Sequence, residues 1–230
     1  MLTKVFQFEW HYHSRQLSFM AAVVLFFVMG FFGVHGNFGG ADVKSNSPFA
    51  TTFFLSLLSL MSLFVITIFC ANAVLRDSQN KMESIIYTTA ITKFQYLFGR
   101  FAGLVCAVFA VLAIAALGMF LGSFLVEAER LGPVKLWNYA GPLFIFGIPN
   151  ILFSAALLFA VATLTRSTVA TYVAGVLIYV LYFVASIFGN SPLMASATPT
   201  GPQNELLPVL LDPYGCLLYT SDAADELLGV

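Results

Sequence analysis

The sequence predicts an all-α membrane protein, and three observations lead there. Of its 230 residues, 60% are hydrophobic and only 9% are charged, where a soluble domain carries about 25% charged residues. Mean hydropathy is +0.90. The apolar residues are gathered into five runs, at about 17–34, 49–75, 101–125, 141–164 and 169–188, each near the roughly 20 residues that an α-helix needs to cross the hydrocarbon core. The formal net charge of −1 leaves no basic field for nucleic acid.

The amino-terminal segment 1–16, MLTKVFQFEWHYHSRQ, is aromatic and mildly basic. It reads as an interfacial helix with rings at the headgroup boundary and charges in water. His11 and His13 are two apart and face different sides of a helix, so they do not form a metal pair. The first run has no small-x-small cleavage site at its end and reads as a retained span. HGNFGGADVKSNSP, rich in Gly, Asn and Ser, is a loop.

The second run carries Thr51, Thr52, Ser56, Ser59, Ser62 and Thr67, whose hydroxyls bond back to their own helix or across to another. The third is rich in Gly and Ala, which permit close helix packing. Residues 126–140 form a loop in which Trp137 and Tyr139 read as interface anchors. The fourth run contains Pro149 and Asn150. A mid-span proline kinks a helix, and an Asn in hydrocarbon needs a partner, so this pair is either a hinge or polar patch, or an interhelical hydrogen bond. Of the three cysteines, Cys70, Cys106 and Cys216, two lie in apolar runs, and their spacing matches neither a zinc site nor a disulfide framework.

The long polar interval is Arg76 to Arg100, RDSQNKMESIIYTTAITKFQYLFGR, which holds four of the ten basic residues: Arg76, Lys81, Lys93 and Arg100. Met82, Ile85, Ile86 and Ala90 fall at helical spacing and predict a short amphipathic helix on the membrane surface. Grouping this interval with the amino terminus and the Arg166 turn puts seven of the ten basic residues on one side, with Lys44, Arg130 and Lys135 on the other. The excess marks the first side, and the amino terminus with it, as cytoplasmic.

The chain contains no phosphate-binding loop, no H-E-x-x-H and no G-x-S-x-G, and no span carries a pair of ionisable residues that could act as a proton relay. It therefore reads as a non-enzyme, without catalytic, cofactor-binding or metal residues of its own.

An interfacial helix, a span, an outer loop, a span ending in ANAVLRD, an amphipathic cytoplasmic segment and re-entry through YLFGRFAG together resemble the permease subunits of type-2 ABC exporters. The resemblance is closer to a branch in which the permease is joined to a zinc aminopeptidase-like domain, with FEWHYHSRQ, ERLGP and PNILFSAALLFAVATLTRS carrying it over about residues 5–215. It implies a bacterial inner-membrane protein and a second permease as dimer partner. It also implies an ATP-hydrolysing nucleotide-binding subunit that docks on a coupling helix within 76–100. Arg76, Asp77, Met82, Glu83, Ile85, Ile86, Lys93 and Arg100 match that interface, while Ala90 stands where a proline is common. Residues 216–230 depart from the pattern, and CLLYTSDAADE resembles translated sequencing-adapter read-through; on that reading the chain is an amino-terminal fragment lacking a sixth span. Two alternatives stay open: a membrane anchor for a downstream peptidase domain, and a structural membrane subunit without transport.

Overall fold

In a computed structural model of the protein, the described residues are 2–36, 44–79 and 92–188. Seven α-helices lie within them: α1 (Leu2–Ser14), α2 (Leu17–Gly33), α3 (Pro48–Gln79), α4 (Lys93–Gly122), α5 (Trp137–Pro142), α6 (Ile148–Thr165) and α7 (Thr168–Phe188). No strand occurs among these residues. Three helical stretches are long and apolar enough to cross a membrane: Pro48–Val74, Lys93–Leu125 and Trp137–Thr165. A fourth is reached if α1 and α2, which meet at a bend of 68°, count as one broken span. In α7 the apolar stretch Thr168–Val184 is shorter than these. The architecture is thus compatible with a membrane-embedded helical protein.

Helix ends follow local chemistry. Thr92 caps α4 by accepting a hydrogen bond from the Gln95 amide at 3.3 Å, which satisfies one of the orphan donors of the first turn. The helix therefore starts at Lys93, and KFQYLFGR forms its first two turns rather than an approach to it. Between α6 and α7 the chain turns on Arg166, at φ 50° and ψ 28°, whose amide bonds the Ala162 carbonyl at 3.0 Å. This left-handed cap satisfies a terminal carbonyl, and it is unusual for a residue with a side chain.

The core is a seam of α3, α4 and α6 side chains, with Leu58, Leu63, Ile66, Leu104, Val108, Leu112, Ile151 and Leu158 all nearly inaccessible. Within it, the hydroxyls of Ser59, Ser62 and Thr67 bond carbonyls of their own helix at 2.6–2.7 Å. These bonds let α3 carry a buried polar stripe without orphaned donors.

Small residues set the distance between α2 and α4. A Cβ on Gly118 would stand 2.6 Å from the Phe27 carbonyl oxygen, and one on Gly122 would collide with the Phe31 carbonyl. Backbone rather than side chain lies opposite, so neither position can relax by a rotamer change, and the two helices meet by the small-xxx-small logic of membrane packing.

The end of the bundle away from α1 is stitched by the loops before α3 and before α5. Buried Asn46 donates to the Gly132 carbonyl at 2.8 Å and accepts from its amide at 2.7 Å. Ser45 donates its amide to the Arg130 carbonyl at 3.1 Å. Thr51 donates its hydroxyl to the Asn138 carbonyl at 2.9 Å. Here the structure corrects one expectation. Trp137 is exposed, but Tyr139 is buried, edge-on to Phe120 at 5.5 Å. The loop ends earlier than expected, with α5 beginning at Trp137, and residues two apart on a helix point to different sides.

The close approach of α2 and α4 makes a direct test. Gly118→Ala should lower stability by about 1–3 kcal/mol through overpacking. Gly147→Ala, whose Cβ would meet only a Leu143 methyl at 3.4 Å, should change it little. Thermal unfolding in detergent micelles checks both.

Candidate functional site

Along α1, Leu2, Val5, Glu9 and His13 fall on one face, and this face lies against the start of α4. A Cβ on Gly99 would come within 2.9 Å of the Val5 side chain, and one on Gly103 within 2.7 Å of Glu9 Cβ. The FGRFAG stretch therefore does more than lead into a span. Its two glycines, four apart, form a flat strip on which α1 lies, and Arg100 between them is carried into the contact.

Glu9 is buried to 1% exposure, and an isolated ionised carboxylate there would be very costly. It is not isolated. Arg76, near the end of α3, grips it with two nitrogens, Nη2 to Oε1 at 2.6 Å and Nη1 to Oε2 at 3.4 Å. Arg100 brings Nε to 3.1 Å from Oε1, a charge contact rather than an aligned hydrogen bond, and donates Nη1 to the Ala73 carbonyl of α3 at 2.7 Å. Both guanidinium groups also lie over aromatic rings, Arg76 over Tyr12 at 4.2 Å and Phe8 at 5.3 Å, and Arg100 over Tyr96 at 4.4 Å. Such stacking is favourable for a weakly hydrated planar cation. One carboxylate on α1 thus ties the end of α3 to the start of α4.

His13 completes the cluster. Its Nε2 lies 3.8 Å from Glu9 Oε2 and its ring lies 5.2 Å from that of Phe69. Burial lowers its pKa below 6.5; the nearby Glu9 opposes the shift, while Arg76 and Arg100 add to it. The ring is therefore a neutral packing element at neutral pH.

The structure sorts the residues singled out from the sequence into four groups. Arg76 and Arg100 converge on Glu9. Lys93 is exposed at the first position of α4, beside exposed Phe94, Leu97 and Phe98. Asp77 falls in the last turns of α3, and its side chain lies outside the described residues, as do Met82, Glu83, Ile85 and Ile86 altogether. Pro149 and Asn150 sit elsewhere, mid-bundle. Pro149 is in the first turn of α6, just after a π-helical turn at Leu143–Gly147 that bonds the Ile148 amide to the Leu143 carbonyl. Proline cannot donate to the carbonyl four residues back, and the wider turn is the local adjustment next to it. Asn150 is buried and donates Nδ2 to Ser59 Oγ at 3.1 Å. The pair therefore combines an irregular helix with an interhelical bond from α6 to α3.

Glu9 was not among the residues singled out from the sequence, and the structure corrects the reading of its segment, whose charges were expected in water. No family model matches the chain, and neither a curated protein nor a solved structure does.

The buried imidazole gives the site a pH signature. A folded-state pKa below the unfolded value means that the contribution of neutral His13 is complete above about 6.5 and is lost as pH falls below it. Thermal midpoints measured from pH 8 down to 5 should fall on the acid side, and His13→Phe should flatten that fall.

Proposed function

We propose that the chain is the transmembrane permease part of an ATP-driven exporter, with the interval 76–100 receiving the stroke of an ATPase subunit. In this reading α2, α3, α4, the α5–α6 unit and α7 are five spans. The amino terminus and the Glu9 cluster face the cytoplasm, the membrane is a bacterial inner membrane, and a second permease completes the dimer.

The observation that carries the proposal is the convergence of Arg76 and Arg100 on Glu9. These arginines stand at the two ends of the polar interval, one on the helix that leads into it and one on the helix that leads out. A push applied between them therefore reaches α1, α3 and α4 together rather than bending one helix end. The exposed start of α4 supports the same reading. Lys93 sits where the helix dipole disfavours a cation, beside Phe94, 71% exposed and stacked on Phe98 at 5.6 Å. A cation with aromatic neighbours at an unfavourable helix position suits a partner surface carrying a carboxylate.

In this scheme ATP is bound and hydrolysed in the partner, and this chain contributes the lever and the spans. The test is to co-express the chain with an ATPase encoded beside its gene and to measure complex formation and coupled hydrolysis. Ile86→Ala or Glu83→Lys should weaken the complex at least about tenfold, as expected when an interface anchor is removed. Unchanged binding and unchanged coupled hydrolysis in both variants would refute the assignment.

A further inference from the structure

The Glu9 cluster has a consequence for the opposite face of α1. Glu9 is the only carboxylate in Leu2–Ser14, and its burial against Arg76 and Arg100 removes the sole negative charge from the exposed surface of that helix. The residues that α1 leaves exposed are Thr3, Lys4, Gln7, Phe8, Trp10 and His11, and among them Lys4, Phe8 and His11 form a stripe continued by Arg15 in the turn that follows. Their spacing of four, three and four residues gathers them on one side of the helix. Phe8 is 59% exposed. At the carboxyl end of this stripe, Phe8, His11, Tyr12, Arg15 and Gln16 line an open groove of about 230 Å³. The 68° bend between α1 and α2 turns the helix toward the membrane plane when α2 crosses.

We infer that this face is a binding site for the phosphate headgroup of an anionic phospholipid of the inner leaflet. Arg15 supplies the charge at the groove, where His11 and Tyr12 supply hydrogen-bonding groups and Phe8 supplies an apolar wall; Lys4, about three helical turns away, adds to the positive field of the same face. The charge pattern distinguishes this from a general interfacial anchor. An amphipathic helix with a carboxylate among its exposed cations would be near neutral toward lipid charge, whereas here the carboxylate is locked inside the protein. The inference rests on the membrane orientation proposed above and not on transport.

Trp10, 38% exposed on α1, reports on the site, and the only other tryptophan, Trp137, is removed by Trp137→Phe. The full chain with that substitution is reconstituted with brominated phosphatidylglycerol or brominated phosphatidylcholine, and quenching of Trp10 is compared at equal mole fraction. The inference predicts preferential quenching by the anionic lipid. Lys4→Gln and Arg15→Gln, both at exposed positions, should each lower the preference by up to about fivefold, the worth of one basic residue at an anionic surface. Lys135→Gln should leave it unchanged. Equal quenching by the two lipids overturns the inference, and absence of quenching by either overturns the membrane orientation beneath it. If inorganic phosphate abolishes the preference where chloride at the same ionic strength does not, the site takes free phosphate and the lipid assignment fails.

Discussion

Everything at the α1 end of the molecule depends on one buried carboxylate. Glu9, at 1% exposure, is met by two guanidinium groups, and that of Arg100 is brought to it where α1 lies directly on the backbone of α4 at Gly99 and Gly103. Sterics and electrostatics are linked here. A side chain at either glycine would lift α1, lengthen the Arg100 contact and leave charge buried without its partner. Breaking a buried ion pair by removing one partner costs about 3–5 kcal/mol, although the intact pair contributes little net stability over an apolar replacement. The cluster therefore serves position more than stability. It fixes where α1 sits relative to the two helix ends that flank the interval between α3 and α4.

The two ends of the bundle are held differently. At the α1 end the ties are charged and few, and they run between side chains on three helices. At the other end the ties are uncharged: the Asn46 side-chain amide pairs with both backbone groups of Gly132, the Ser45 amide bonds the Arg130 carbonyl, and the Thr51 hydroxyl of α3 bonds the Asn138 carbonyl of α5. Between them, the α3–α6 seam has an apolar core, an Asn150–Ser59 bond and a π-helical turn at one side.

Much of this was legible in the sequence, and the exceptions are instructive. The apolar runs located α2, α3, α4 and the α5–α6 unit because continuous hydropathy needs no tertiary context. The start of α4 was missed by eight residues because Phe94, Tyr96, Leu97 and Phe98 interleave with polar residues and read as an approach to the membrane. The signal was Thr92, whose cap fixes the first turn. Pro149 and Asn150 were visible as a disturbance, but the widened turn lies before them, between Pro142 and Ile148. Glu9 was hidden by the convention that charges in an interfacial helix are solvated. Its helical position gave a clue, since it shares a face with Leu2, Val5 and His13 while Lys4, Phe8 and His11 occupy the other. A carboxylate on the apolar face of an amphipathic helix demands a partner, though only the fold shows that Arg76 and Arg100 are the ones. The central part of the interval, with Met82, Glu83, Ile85 and Ile86, lies outside the described residues.

Glu9 and Arg100 act as one interaction joining α1 to α4. A double-mutant cycle on Glu9→Gln and Arg100→Gln, read by thermal unfolding of the full chain in micelles, measures it most directly. Contacting residues in one ion-pair network show interaction energies of about 0.5–3 kcal/mol. The coupling should fall in the upper half of that range, with the double variant much less destabilised than the sum of the single ones. Additive losses would mean that the two side chains contribute independently, and α1 would then be held to α4 by packing alone.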